Sequence, residues 1–115
     1  MNIEYIIIIL IFSHFLADFT LQTDAMAKGK NRNRKIDYIP EGQKLVPVWP
    51  YWLSAHAIIH GGMLYIFTLN PYVFIVESIS HFIIDFIKCE NWTNPNQDQG
   101  LHGLMKIIEF IILVM

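Results

Sequence analysis

At 115 residues the chain has room for one core and not two. Apolar residues make up 54% and charged residues 16%, a greasier balance than an ordinary soluble domain has. A net charge of −2 gives no basic face for nucleic acid, and the single cysteine, Cys89, excludes an internal disulfide.

The first apolar stretch runs from Ile3 to about Leu21–Gln22. Tyr5 to Phe12 is apolar all round, which fits lipid or a buried helix and not an amphipathic surface helix. No positive charge precedes it and no small-residue cleavage site follows, so a cleaved leader is not expected. Residues 23–50 then change character. Gly29, Pro40, Gly42, Pro47 and Pro50 break regular structure. Six of the eight Lys and Arg lie here, between Lys28 and Lys44. The segment reads as a long basic loop with one helical turn around Asp24 to Lys30.

Pro50 suits the start of a second helix over about 51–69, and Trp49, Tyr51 and Trp52 would form an interfacial aromatic belt. Asn70-Pro71 ends it and starts a third helix, about 71–88, so the two form an antiparallel hairpin. A second loop, Cys89 to Gln97, leads to a last helix, about 98–115. The fold class expected is therefore all-α, a four-helix transmembrane bundle in one membrane-embedded domain over residues 1–115. The lengths are short but permissible, since a span needs about 20 residues and can manage with about 17. A soluble four-helix bundle with an apolar exterior is the alternative.

Each histidine sits four residues from another histidine or an aspartate: His14–Asp18, His56–His60, His81–Asp85 and Asp98–His102. Residues four apart share one face of a helix. Ionisable groups are costly in apolar helices, so their recurrence asks for a reason. Short cytoplasmic loops are rich in Lys and Arg, which puts the 23–50 loop in the cytoplasm of a multi-pass bacterial inner-membrane protein with both termini outside. All four polar pairs then fall at the inner ends of their helices. The orientation uses no histidine, so this agreement is independent of it.

Imidazoles and carboxylates from facing helices are the donors of bundle metal sites. His14, Asp18, His56, His60, His81, Asp85 and His102 are the candidate ligands, with zinc the expected ion and manganese or iron as alternatives. They outnumber the needs of one ion and would suffice for a two-metal site. Asp98, at a helix start, is the candidate general base, with Gln22 and Gln99 holding substrate or ligands. Lys88 is a candidate phosphate-binding residue, or a snorkelling interfacial lysine. Glu77 shares the His81–Asp85 face but lies deeper.

The segments His14-Phe15-Leu16-Ala17-Asp18-Phe19-Thr20-Leu21-Gln22-Thr23, continuing through Met26-Ala27 to Lys30, Leu53-Ser54-Ala55-His56 with His60, His81 to Lys88, and Asp98-Gln99-Gly100-Leu101-His102 carry a family resemblance. The chain resembles the small bacterial and phage membrane proteins grouped as domain of unknown function 3307. More weakly, it resembles inner-membrane metal-dependent hydrolases under the SOS repressor. The resemblance implies a membrane helical bundle with these polar positions, and a phage or prophage setting. Two functions are open. One is a metal-dependent hydrolase at the inner face of the membrane, acting on a phosphoester or lipid-linked substrate. The other is a non-enzymatic membrane protein that conducts protons or ions, or excludes phage by binding a membrane partner. The expected partners are the lipid bilayer and a second copy of the chain in a homo-oligomer.

Overall fold

A computed structural model describes residues 1–35 and 40–115. Part of the expected basic loop, residues 36–39, lies outside the described residues. The described residues form helices and no strand.

Helix α1 (Ile3–Phe15) is capped by Asn2, whose side chain accepts the Tyr5 N–H at 2.7 Å. Ile6, Ile9 and Leu10 face inward, while Ile7, Ile8, Ile11 and Phe12 are exposed. From Leu16 to Thr20 the helix widens to π geometry, and Leu21 N–H reaches back five residues to Leu16 C=O at 2.8 Å. The expected helix over 3–22 is thus an α-helix followed by a π turn, and Asp18 lies in that turn.

Helix α2 (Asp24–Gly29) is the predicted helical turn, capped by Thr23 through the Met26 N–H. Gly29 lets it close on the helix that carries Trp52, because a Cβ there would strike the Trp52 ring. Beyond it, Arg32 and Asn33 fasten the basic segment to Glu90 and the Cys89 carbonyl. Arg32 pairs with Glu90 through Nε and, at 3.0 Å, through Nη2, and its guanidinium lies 5.2 Å from the Phe86 ring centre. Hydrogen bonding to Arg32 holds the Glu90 carboxyl below its ordinary range, and Glu90 in turn raises Arg32.

Helix α3 (Trp49–Thr68) starts two residues earlier than expected, with Pro50 in its first turn. It stops at Leu69, which takes a left-handed conformation at φ 53°. Asn70 then caps α4 (Pro71–Cys89) by accepting the Tyr72 N–H at 2.9 Å. Helix α5 (Pro95–Val114) begins three residues before the expected start at 98. The reason is local: Asn94 and Gln97 form a reciprocal capping box, and Pro95 is preset for the first helical position.

Helix α4 packs between α3 and α5, and α1 leans on both α3 and α5. The two ends of this bundle differ in kind. At the end holding both termini and the α3–α4 link, Ile6, Leu10, Leu64 and Val73 form a buried apolar cluster joined by Phe110, Ile112 and Leu113. At the other end all five histidines, Asp85, Asp98 and Lys30 are buried among a few apolar side chains such as Leu53 and Ile84.

Among the described residues, one helical stretch, Ile3–Thr20, is long and apolar enough to cross a membrane. Helices α4 and α5 each carry three or more charged residues, and these are largely the ones facing inward at the polar end.

The α3–α4 hairpin depends on Gly61. A Cβ there would meet Ser78 Oγ and lie 2.8 Å from the Phe74 carbonyl, whereas Gly62 faces open space. Gly61→Ala should cost about 1–3 kcal/mol through overpacking, read as a lower thermal midpoint by circular dichroism. Gly62→Ala should leave the midpoint unchanged or raise it, because alanine is the better helix former.

Candidate metal centre

The widened turn of α1 places Asp18 against the first halves of α3 and the last turns of α4. Asp18 Oδ1 lies 2.9 Å from His60 Nε2, 3.3 Å from His56 Nε2 and 3.7 Å from His81 Nε2. His56 and His81 bring their own Nε2 atoms to 3.1 Å. One donor atom from each of these four residues lies within 4.8 Å of the other three, a set able to hold a metal ion. His56, His60 and His81 are all but fully buried, at 0%, 2% and 0% exposure.

The same rings are held from behind by one carboxylate. Glu77 Oε1 lies 3.4 Å from His81 Nδ1 and 3.5 Å from His60 Nδ1. The His60 and His81 rings stack at 3.5 Å, which lets one carboxylate serve both. With Nδ1 facing a carboxylate, Nε2 is the nitrogen turned toward Asp18, the arrangement in which ligand histidines are oriented. Glu77 lies deeper in the bundle than Asp85, as its place on the His81–Asp85 face predicts, and its other oxygen receives Lys106 Nζ at 2.9 Å, while Lys106 also reaches Glu109 Oε2 at 3.1 Å.

A second group adjoins the first. His81, Asp85 and His102 also bring one donor atom each within 4.8 Å of one another. His102 stacks on His81 at 4.4 Å and lies 3.6 Å from Asp98 Oδ1. His14 Nε2 is 3.5 Å from Asp18 Oδ2 and 3.3 Å from Gln99 Oε1. All five histidines therefore belong to one contiguous cluster. His14 Nδ1, His56 Nδ1, His81 Nδ1, Glu77 Oε1 and Asp98 Oδ1 are buried there without a hydrogen-bond partner, the Glu77–histidine approaches being ion-pair distances, although buried polar groups are normally paired.

The remaining candidates take specific places. Asp98 is not at an open loop edge; it is 1% exposed, and one oxygen accepts from the Gln99 amide at 3.1 Å. Gln22 accepts from Lys30 Nζ and donates to the Asp18 carbonyl at 3.3 Å. Lys88 is partly exposed and stands 3.7 Å from Asp98 Oδ2.

Lys30 is the residue the sequence concealed. It sits in the basic run that reads as a solvated loop, yet it is 5% exposed and its ammonium donates to Asp85 Oδ2 at 2.6 Å. The C-terminal end of α2 delivers it there. Asp85 Oδ2 is in turn 3.3 Å from His56 Nε2, so Lys30 joins the cluster through Asp85. Its side chain alone gives no signal, although it closes the first stretch on which the family resemblance rests. Lys106 stands four residues after His102 but is a cation and not a ligand type, and Glu109 has no histidine or aspartate four residues away, so neither carries a signal in the sequence.

Removing one partner of a buried ion pair strands the other charge. Lys30→Met should therefore cost about 3–5 kcal/mol in chemical unfolding. The double variant Lys30→Met/Asp85→Leu should recover a large part of that loss, because no lone charge is left buried.

No curated protein and no solved structure matches the chain. A family model does match, over residues 6–115, which takes in every helix and every residue of the cluster. The chain belongs to the family described as Protein of unknown function (DUF3307).

Proposed function

We propose that the protein is a metal-dependent hydrolase embedded in the bacterial inner membrane, with its centre at the cytoplasmic face and a phosphoester or lipid-linked substrate. The observation that carries this reading is the spacing of the donor atoms. Tetrahedral ligands about 2.0–2.1 Å from a zinc ion lie about 3.3 Å from one another. Four of the six separations among Asp18 Oδ1 and the Nε2 atoms of His56, His60 and His81 are 2.9, 3.1, 3.3 and 3.7 Å, and one donor atom from each residue lies within 4.8 Å of the others.

Asp18, His56, His60 and His81 would hold the ion, with zinc the first choice for a set of imidazoles and one carboxylate and manganese or iron the alternatives. A bound divalent ion supplies a polarised water that ionises near neutral pH. Glu77 fixes the tautomer and tilt of His60 and His81. Asp98, with a buried oxygen lacking a partner, is the candidate group to take a proton, and Gln99 and His14 stand beside it to orient a substrate. Lys30 pairs with Asp85 and fixes it beside His56.

The multi-pass reading is supported by the outward faces of the helices. Ile58 and Ile66 on α3, Ile75, Ile79 and Ile83 on α4, and Leu104, Ile107 and Ile111 on α5 are all exposed. Together with the apolar face of α1, they form an exterior suited to lipid.

One observation favours conduction instead. Glu77, Lys106 and Glu109 extend the polar cluster toward the apolar half, and Glu109 is fully buried. The file then meets Ile6, Leu10, Leu64 and Val73 with no polar atom among their side chains. Proton or metal flux into proteoliposomes above the rate of empty vesicles would favour conduction.

Purified protein should carry about one transition-metal ion per chain at the Asp18 site, measured by elemental analysis. His60→Ala and His81→Ala should abolish that content. Glu77→Gln should weaken affinity about 10–100-fold, the usual effect of losing a group that orients a ligand. Hydrolysis of p-nitrophenyl phosphate should disappear with chelator and return with zinc. Absence of metal at any supply would refute the reading.

A further inference from the structure

A cleft of 170 Å³ opens on the side of the bundle between α1 and α5, leading to the polar cluster. Leu10, Ile11 and Phe15 supply its apolar wall. Its polar lining is His14, Gln99, His102 and Lys106, with no carboxylate among the lining residues. Every one of these four side chains can donate a hydrogen bond. The carboxylates that balance Lys106, Glu77 and Glu109, are buried at 1% and 0% exposure and do not line the cleft.

A larger groove of 260 Å³ between α3 and α4 is lined by Ser54, Ser78 and apolar residues and touches none of the histidines. Volume therefore does not single out the α1–α5 cleft; its chemistry does. Three of the donors, His14, Gln99 and His102, gather at the metal-centre end, and Leu10 and Ile11 lie one turn from His14 toward the apolar half, where Lys106 is the one donor beside them, already paired with Glu77 and Glu109. A ligand matching that order has an anionic head and an apolar tail. Ile11 and Phe15 in its wall are themselves exposed on the side of the bundle, so the tail would enter from the side and not from the loops.

We propose that this cleft admits an acyl chain of a membrane lipid with a phosphate head group, seating the head against His14, Gln99 and His102 beside the metal centre. The inference rests on the reading of a membrane-embedded hydrolase and names its substrate class and route of entry. At 170 Å³ the cleft takes a head group or a short length of one chain, the rest of the lipid staying in the bilayer.

Gly103 supplies the test, because it lines the cleft and a Cβ there meets nothing within 4 Å. Gly103→Leu adds a side chain into the cleft from a position where its Cβ meets no neighbour, and improves helix propensity. The protein is reconstituted in phosphatidylcholine vesicles containing phosphatidic acid with a diazirine on one acyl chain, irradiated, and mapped by mass spectrometry. Label should concentrate at Leu10 and Ile11. Gly103→Leu should reduce it about tenfold, the effect of losing burial of roughly two methylenes. Label on the opposite face, at Ile75 and Ile79, and the metal content should not change. Diazirine-bearing phosphatidylcholine should label the cleft less than the phosphatidic acid does. Label spread evenly around the helices, or indifferent to Gly103→Leu or to the head group, would overturn the proposal. Cleft labelling in a protein that takes up no metal would instead sink the hydrolase reading and leave the lipid site standing.

Discussion

Asp18 Oδ1 is approached by the Nε2 atoms of His56, His60 and His81, and the arrangement of the helices follows from keeping it there. A carboxylate removed from water is costly unless opposite charge or hydrogen-bond donors surround it. Helices α3 and α4 supply those donors and must lie close together to do so, which Gly61 permits. Helix α1 must deliver the carboxylate, and its π turn aims it. The dry cluster of Ile6, Leu10, Leu64 and Val73 holds the far ends of the same helices, so apolar packing and polar satisfaction act at opposite ends of one bundle.

Charge is organised in layers around that point. Asp18 faces imidazoles; two of those imidazoles back onto Glu77; Glu77 is neutralised by Lys106. On the other flank Asp85 is neutralised by Lys30. Each buried ionisable group thus has a partner of opposite sign or a ring nitrogen beside it. Such layering is expensive to assemble and only weak grounds for stability in itself, because apolar replacements often fold as well or better. Its retention in so apolar a chain is the physical reason for assigning it chemistry.

What the sequence disclosed was periodic. Pairs four residues apart on His14, His56, His81 and Asp98 fixed which residues share a face, and the hairpin at Asn70-Pro71 was readable from its turn chemistry. The capping box at Asn94 and Gln97 was equally present in the sequence, though the helix start was placed at Asp98. Lys30 was hidden for a different reason: one buried lysine within a run of six cations has no compositional mark, and only the docking of α2 on Trp52 brings it inward. Lys106 and Glu109 were hidden because their partner, Glu77, belongs to another helix. The π turn has no pattern at all in side-chain spacing.

That turn carries a consequence for how the chain can vary in length. Residues 16–20 hold nearly one more residue per turn than an ordinary helix, so the extra residue is absorbed within the turn. Excising a single residue there would replace five residues by four at about 100° each, which leaves the direction of the following backbone almost unchanged but re-aims the side chains inside the turn. Gln22, α2 and Lys30 would then stay on their side of the bundle while Asp18 turned away from the histidines. Relatives built on this plan should accept gaps and additions in the stretch between Arg34 and Val48, yet keep a fixed count from His14 to Lys30.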